Sequence, residues 1–252
     1  MSHDYKKLKI LKKIISLFGF KLVEKDSIKN KKIIEKFSFK TEDFLNLKIK
    51  QNKIKKIIQV GANDGKGDDF LYKNLNKSIE AILIEPIESA FNKLKNNYLG
   101  YDNLRFLNIA VDITSQKKKI YSVNDDYHNY YKKKYNHQNV DWLSALSSFN
   151  KEHLLKHGIK KKHIFSHFIK TKTLSDIVKE FNFHDVDLII FDTEGHDQEL
   201  VKNLFETTNL RPIIIFEWLH VKNNKIENLL KIIKSFNYEI LLIEKDLICF
   251  QN

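Results

Sequence analysis

Side chains that can transfer protons lie close together in two short stretches of the chain. The stretch DTEGHD (192–197) carries three carboxylates and one histidine, and the stretch EWLH (217–220) ends in a second histidine. Histidine titrates near neutral pH and carboxylates accept protons from hydroxyl groups, so either can act as a general base. Acids that follow a strand also cap helices and bind loop amides, which is the structural alternative. We expect catalysis to use Asp192, Glu194, His196 and His220, and leave open which of them is the base.

The same side chains offer ligands for a divalent cation. Asp192, Glu194 and His220 could together hold magnesium or manganese, because both ions prefer oxygen-rich sites. The three residues share only their position on neighbouring loops. We therefore predict no metal ligands, and keep a divalent metal as an alternative that the sequence does not support.

A glycine loop follows the first clear strand, in IIQVGANDGKGDDF (57–70), and holds one asparagine and three aspartates. Gly61 permits a sharp exit from the strand, Gly65 lets the backbone approach a ligand, and Asn63 tolerates a left-handed conformation. The loop departs from the G-x-G-x-x-G pattern, since Asn63 replaces the second glycine and Asp64 adds negative charge. Acids are unfavourable beside a pyrophosphate but favourable beside the cationic sulfonium and ammonium of S-adenosylmethionine. The loop therefore favours S-adenosylmethionine as the ligand.

A further acid, Glu85, ends the next strand in ILIEP and comes 24 positions after Gly61. An acid at this point of a nucleotide-binding α/β domain accepts hydrogen bonds from the hydroxyls of a ribose. Ligands of open α/β sheets bind outside the carboxyl ends of the strands. We therefore expect Glu85 and the glycine loop to face the same cleft.

Strands and helices alternate from residue 54 onward, and this alternation must position the residues named above. Continuous apolar strands such as DLIIFD and PIIIFEW are typical of the centre of a parallel sheet, and their alternation with helices predicts an α/β fold. The last stretch, YEILLIEKDLICFQ, contains two apolar strands joined by a short polar link and predicts an antiparallel hairpin. The predicted fold is a doubly wound, mostly parallel seven-stranded sheet with this C-terminal hairpin and an N-terminal helical segment. The candidate strands are Lys56–Val60, Ala81–Glu85, Leu104–Ile109, Asp187–Asp192, Pro212–Trp218, Glu239–Glu244 and Leu247–Phe250, and the candidate helices are Asp68–Leu75, Ile87–Tyr98, Leu174–Phe181, Gln198–Phe205 and Ile226–Phe236.

Taken in order, the stretches IIQVGANDG, ILIEPIESAFNKLKNNY, LNIAV, DLIIFDTEGHDQELVKNL and PIIIFEW resemble FkbM-type S-adenosylmethionine-dependent methyltransferases. The resemblance covers roughly residues 54–220, and the D-x-E-G block at 192–195 is its most specific part. It implies the Rossmann-like class I methyltransferase fold, with S-adenosyl-L-methionine as the cofactor. It also implies that residues at the strand ends bind this cofactor, with Asn108 or Ala110 near the adenine. The implied cofactor-binding set is Gly61, Ala62, Asn63, Asp64, Gly65, Glu85, Pro86, Asn108, Ala110 and Asp192.

An insertion at about residues 112–170 interrupts the alternation and holds five of the ten tyrosines, all between 121 and 135. So long an insertion is usually a lid or a substrate-binding segment, and the alternative is an exposed loop of biased composition. We expect residues 1–50 to be an N-terminal helical extension and residues 51–252 to be the methyltransferase domain, insertion included.

The N-terminal residues 5–23 predict an amphipathic basic helix, because apolar residues recur at spacings of three and four between lysines. Such a helix either packs on the domain or makes peripheral contact with a membrane surface. The apolar run Ile14–Phe20 is shorter than the ~20 residues of a membrane span, and no small-residue cleavage site follows it. Cys249 is the only cysteine, which suits a reducing compartment. We expect a cytoplasmic protein.

The net charge of +12 raises the question of a nucleic-acid partner, but the residues behind it argue against one. Only Arg105 and Arg211 are arginines, whereas the other 42 basic residues are lysines spread along the chain. Nucleic-acid readers favour arginine, whose planar fork matches phosphates and base edges. The leading hypothesis is O-methylation of a hydroxyl on a sugar, a glycan or a secondary metabolite, as the family resemblance implies, with an insertion that contains Trp142 stacking on the ring. The alternatives are an RNA methyltransferase and a non-catalytic adenosine-binding or membrane-associated module.

Overall fold

The computed structural model describes residues 40–66, 70–75, 78–135, 143, 146–218, 223–243 and 245–251. The predicted N-terminal helix at residues 5–23 lies outside the described residues, as do Trp142 and His220. Within the described part of the chain, no helix is long and apolar enough to cross a membrane.

Eleven strands and eight α-helices organise the described residues. The strands are β1 (Lys56–Val60), β2 (Glu80–Ile84), β3 (Leu104–Leu107), β4 (Ala110–Val111), β5 (Lys117–Val123), β6 (Ser147–Ser148), β7 (Ile164–Lys172), β8 (Leu188–Phe191), β9 (Ile213–Glu217), β10 (Glu239–Ile243) and β11 (Asp246–Phe250). The helices are α1 (Thr41–Lys50), α2 (Phe70–Asn74), α3 (Glu88–Asn97), α4 (His128–Tyr135), α5 (Lys151–Lys156), α6 (Leu174–Glu180), α7 (Asp197–Thr207) and α8 (Asn223–Ser235).

A seven-stranded sheet with the order β3-β2-β1-β8-β9-β11-β10 forms the centre of the molecule. Neighbouring strands from β3 to β9 are parallel, and β11 is antiparallel to both β9 and β10. This confirms the predicted doubly wound α/β sheet and its C-terminal hairpin. The order of the strands reverses between β1 and β8, so the carboxyl ends of these two strands flank the position where such sheets bind ligands.

Both faces of the large sheet are buried, which explains why its central strands are apolar throughout rather than alternating. Ile58 packs on one face in a core that contains residues of α6, α7 and α8. Its neighbour Ile57 points to the other face and packs in a core with residues of α1 and α3. Successive side chains of a strand point to opposite faces, so the β-branched run in β1 serves both cores at once.

The insertion forms a second sheet with the order β4-β7-β5-β6. Strand β5 pairs antiparallel with β7 along its whole length and with β6 at its end. Tyr131 is fully buried in a small core of this region; its hydroxyl contacts His163 Nδ1 at 2.8 Å and accepts the Lys160 N–H at 2.8 Å. Tyr127 stacks on the same histidine with ring centroids 3.8 Å apart. These two tyrosines therefore build the interior of the insertion, a role that its composition does not reveal.

The predicted strand Leu104–Ile109 is too long, because β3 ends at Leu107. The side chain of Asn108 donates hydrogen bonds to the carbonyl groups of Glu85 and Pro86, at 2.9 and 3.1 Å. These bonds hold the chain as it leaves the large sheet, and the next residues, Ala110–Val111, pair with β7 instead.

Gly65 has a φ of +67°, and a Cβ there would overlap the side chains of Leu94 and Tyr98 on the α3 side of the loop. Gly100 has a φ of +90° with open space around its missing Cβ, which makes it a matched control. We expect Gly100→Ala to lower the free energy of unfolding by the ~1–2 kcal/mol that a left-handed residue costs. Gly65→Ala should lower it by about 1–3 kcal/mol more, because overpacking is added. Urea unfolding of both variants measures the difference. Equal losses of unfolding free energy would show that Leu94 and Tyr98 move aside for the added methyl group at no cost.

Candidate active site

A cleft opens at the carboxyl ends of β1, β2 and β8, beside the reversal in strand order. It is lined by Val60, Gly61 and Asn63 at the end of β1, and by Ile84, Glu85 and Pro86 at the end of β2. The loop after β8 contributes Asp192, Thr193, Glu194 and His196. The second sheet and its surroundings supply the remaining lining residues, which are Ile109, Ala110, Val111, Ile120, Ser147, Ser148 and Phe149.

Gly61 turns the chain out of β1 with a φ of +84°. Its N–H and that of Ala62 both donate to the carbonyl of Ile84, at 2.9 and 3.0 Å. A Cβ on Gly61 would overlap the backbone carbonyl of Asp192, so the turn needs glycine for close packing as well as for its φ. This contact holds the ends of β1, β2 and β8 together around the cleft.

Glu85 follows β2 and is only 6% exposed. One carboxylate oxygen accepts the Asn63 N–H and the other accepts the Ile87 N–H, both at 2.8 Å. Burial raises the pKa of Glu85 to about 7, the two backbone hydrogen bonds oppose this rise, and the charge of Asp64 adds to it. A carboxylate has about four acceptor positions, so a ligand hydroxyl can still bind it from the cleft.

Asn63 lines the cleft in the left-handed conformation, with a φ of +48°. Its side-chain Oδ1 is buried and has no hydrogen-bond partner among the described residues. A buried acceptor without a donor costs roughly 1–3 kcal/mol. An ammonium or hydroxyl donor of a bound ligand would satisfy it.

The other residues of the glycine loop support the cleft from outside. Ala62 is buried in the core on the α1 and α3 face, and Gly65 packs against that face. Asp64 accepts the Lys66 N–H at 3.0 Å through Oδ1, and its carbonyl accepts from the Asn97 side chain at 2.6 Å. Contact with Leu94 and Tyr98 gives a structural reason for glycine at position 65. That Gly65 also brings the backbone to a ligand stays a prediction.

Asp192 follows β8 and its side chain is open to the cleft. The pKa of Asp192 is raised to about 8, first because the surrounding protein displaces water from the carboxylate. Repulsion from Glu194 and Asp197 raises it further, and Lys245 offsets part of the rise. A cationic ligand in the cleft would favour the ionised form of Asp192.

Asp197 opens α7 and is 2% exposed. It accepts the Thr193 N–H at 2.8 Å and also the Thr193 hydroxyl, so it closes the loop between β8 and α7. Burial raises the pKa of Asp197 to about 6. Its bonds give Asp197 the structural role, whereas Asp192 and Glu194 remain on the wall of the cleft.

His196 is held by a residue that the sequence does not single out. Its Nε2 lies 2.8 Å from Oδ1 of Asp112, and the other Asp112 oxygen accepts from Lys118 Nζ at 2.7 Å. Burial alone would raise the pKa of Asp112, but hydrogen bonds from Lys118, the Ile113 N–H and His196 lower it overall. Burial also lowers the pKa of His196. Since its Nδ1 lies 4.0 Å from Glu199, both ring nitrogens of His196 face carboxylates of the protein.

Glu194 has a φ of +52°, which is uncommon for a residue with a long side chain. Its Oε2 lies 2.8 Å from Nε2 of His153, on α5 of the insertion, and its carbonyl accepts from the Ser148 hydroxyl at 3.2 Å. Sequence reasoning missed His153, because 41 positions separate it from Glu194. The ligand set of Asp192, Glu194 and His220 is untested, since His220 lies outside the described residues.

The fold and the cleft define a class: α/β proteins in which a cofactor binds at the carboxyl ends of a doubly wound sheet whose last strand is antiparallel. The methyltransferase FkbM domain matches residues 59–240, and the chain belongs to this family. The family gives the chain a methyltransferase domain, as the resemblance implied.

Solved structures similar to this chain include a candidate caffeoyl-CoA O-methyltransferase from Staphylococcus aureus, at 13% identity and a TM-score of 0.44, with 99% of this chain and 95% of that one covered. The N-terminal domain of human METTL16, solved in complex with SAH, has 12% identity and a TM-score of 0.41, with coverage of 95% and 78%. A fibrillarin pre-rRNA processing protein from Methanococcus jannaschii has 11% identity and a TM-score of 0.39, with coverage of 78% and 65%. No curated protein sequence matches this chain.

We expect Asp112→Asn to lower the free energy of unfolding at neutral pH by about 1.5–3 kcal/mol, the usual range for hydrogen bonds to charged groups. The folded-state pKa of Asp112 is lowered, so its contribution is present above the unfolded pKa and is lost as pH falls through the folded pKa. The gap between wild type and variant should therefore shrink in acid. Urea unfolding at several pH values measures it.

Asp185→Asn is the control, because the Asp185 carboxylate is 71% exposed and pairs with Lys56 at 2.7 Å on the surface. Exposed pairs contribute about 0–1 kcal/mol. If both variants lost the same free energy of unfolding, the buried network around Asp112 would stabilise the fold no more than an exposed ion pair does.

Proposed function

We propose that this protein transfers a methyl group from S-adenosylmethionine to a hydroxyl group of a sugar, a glycan or a secondary metabolite. The observation that carries the proposal is electrostatic. The protein has a net charge of +12, yet no lysine or arginine is among the described residues that line the cleft, whereas Glu85, Asp192 and Glu194 are. An acidic cleft in a basic protein suits a ligand with cationic groups at its reacting end.

The residues of the cleft fit S-adenosylmethionine from one end to the other. Glu85 would accept hydrogen bonds from the ribose hydroxyls, and the buried Oδ1 of Asn63 would accept one from the ammonium group. Ala110 and its neighbours Ile109 and Val111 offer an apolar wall for the adenine. When bound, the cofactor supplies an electrophilic methyl group.

Asp192 is the best candidate for the residue that takes the proton of the acceptor hydroxyl. Its carboxylate is open to the cleft, and a bound sulfonium would favour the ionised form that can accept a proton. Its raised pKa makes that ionised form a stronger base than an ordinary aspartate. His196 is less suited because Asp112 occupies its Nε2. Glu194 is paired with His153 and would help to orient the acceptor.

The acceptor would lie between the DTEGHD loop and the insertion. Ser147, Ser148 and Phe149 of the insertion line this side of the cleft. A sugar ring matches such a wall, because its hydroxyls can bond to serine while its C–H face packs on an aromatic ring. Oriented this way, a hydroxyl can reach the methyl group without solvent reorganisation.

Binding of S-adenosylmethionine should strengthen as pH rises through about 7, because ribose hydroxyls donate to the ionised form of Glu85. Glu85→Gln should weaken binding by ~1.5–3 kcal/mol above this pH and by less below it. Asp192 also titrates in the cleft. Because the wild type and Glu85→Gln both contain it, its effect is common to the two proteins. Calorimetric titration at several pH values therefore isolates the contribution of Glu85.

Glu88→Gln is the control for this titration, since Glu88 is exposed at the start of α3. It should bind S-adenosylmethionine as the wild type does. No binding to the wild type at any pH would contradict the proposed cofactor.

Asp192→Asn should lower the rate of methyl transfer by about 10²–10⁴-fold, the usual contribution of a general base. Its affinity for S-adenosylmethionine should fall far less, because Glu85 and Asn63 remain. The measurement is transfer of a radiolabelled methyl group to a panel of saccharides and phenolic metabolites, with RNA included, and Asp185→Asn serves as the control. Labelling of RNA alone, or full turnover by Asp192→Asn, would contradict the proposal.

A further inference from the structure

A second group of potential ligands lies where the insertion meets the DTEGHD loop. His153 lies on α5 and His157 follows the last residue of this helix, four positions later, so both project from the same side of it. Glu194 comes from the loop after β8. One ligand atom from each of the three side chains lies within 4.8 Å of the other two.

The chemistry of this group differs from that of an ordinary ion pair. Two imidazole nitrogens and one carboxylate oxygen form the ligand set of open zinc sites, in which three protein ligands leave a fourth position for water or substrate. Imidazole ligands suit zinc and its transition-metal neighbours, whereas magnesium and calcium prefer oxygen alone. The group therefore selects a different kind of ion from an all-carboxylate site.

The local geometry already holds two of the three side chains in place. His153 is 8% exposed and lies 2.8 Å from Glu194. The rings of His153 and His157 are 4.6 Å apart between centroids and tilted by 49°, so they lie side by side without stacking. Ligand atoms of a tetrahedral site lie roughly 3.4 Å apart when each is ~2.0–2.2 Å from the ion. Ligand atoms that already lie within 4.8 Å of one another need only small side-chain rotations to reach that spacing.

Glu194 keeps a conformation that helix capping does not require. With a φ of +52°, its backbone holds a left-handed conformation that is strained for a residue with a long side chain. The Ser148 hydroxyl holds its carbonyl, and its side chain reaches His153 while it still lines the cleft. The strained turn thus directs this one carboxylate between α5 and the cleft.

We propose that His153, His157 and Glu194 form a binding site for a divalent transition-metal ion of the zinc class. Since Glu194 lines the cleft, an ion held by these three residues would lie beside the part of the cleft where the acceptor is proposed to bind. If the proposed function holds, such an ion would supply Lewis acidity there, as a metal ion lowers the pKa of bound water.

The test uses the full-length protein, purified without a polyhistidine tag and stripped of metal by a chelator. Cobalt(II) replaces zinc as a probe, because its visible absorption reports tetrahedral coordination by protein ligands. We expect one equivalent of cobalt to bind, and zinc to displace it. The decisive variant is His157→Ala, since His157 is exposed and its loss should leave the fold intact, as circular dichroism would verify.

Loss of a residue that only hydrogen-bonds to a metal ligand weakens metal binding by about 10–100-fold. His157→Ala and Glu194→Gln each remove a ligand and should weaken cobalt binding by more than this. His184→Ala is the control, because His184 is exposed before β8, at the opposite end of the sheet, and should leave binding unchanged. Absence of stoichiometric binding, or equal binding by wild type, His157→Ala and Glu194→Gln, would overturn the site.

A titration of S-adenosylmethionine into the same preparations separates the two proposals. Cobalt bound at these residues without cofactor binding would support the metal site and remove the proposed function. Cofactor binding without cobalt binding would overturn the metal site alone.

Discussion

The close contact between Gly61 and the carbonyl of Asp192 is the constraint on which the cleft depends. The N–H groups of Gly61 and Ala62 bond to Ile84 at the end of β2, and the Asp192 N–H bonds to Val60 at the end of β1. Three strand ends are thereby fixed to one another through backbone atoms. These contacts are rigid, because they do not depend on side-chain rotamers. The polar side chains proposed to bind the cofactor, Glu85 and Asn63, each follow a residue of this junction directly.

The junction brings acids together, and this lowers the stability of the fold. The pKa values of Glu85, Asp192 and Asp197 are raised to about 7, 8 and 6, and loss of hydration around the carboxylate is the first cause in each case. Raised carboxyl pKa values mean that the ionised forms are destabilised, so the folded protein binds protons more tightly than the unfolded chain does. Stability conferred by these groups therefore declines as pH rises through the window between their unfolded and folded values. A cation bound in the cleft would favour the ionised carboxylates and so offset this loss of stability. The acids therefore lower the stability of the protein but strengthen the binding of a cationic ligand.

Sequence reasoning succeeded where a signal is local. The apolar run in Lys56–Val60, the turn at Gly61 and the acid after β2 each depend on a few consecutive residues, and the structure has them in the predicted arrangement. It failed where contacts join distant positions. Asp112 and His196 are 84 positions apart, and no spacing rule connects them. The packing of Gly65 was missed for the same reason, since Leu94 lies near the end of α3 and Tyr98 follows that helix.

In the DTEGHD loop, three carboxylates and a histidine that are close in sequence have different structural roles. Asp197 turns inward to Thr193 and closes the loop, so its charge is used for structure. The left-handed pair Glu194 and Gly195, with φ values of +52° and +97°, reverses the chain between Asp192 and His196. As a result Asp192 faces the cleft, Glu194 reaches His153 on the insertion, and His196 reaches Asp112. Both Asp112 and His153 follow the point where the chain leaves the large sheet. The insertion therefore supplies the partners of His196 and Glu194, and so determines the hydrogen bonds that the loop after β8 can make.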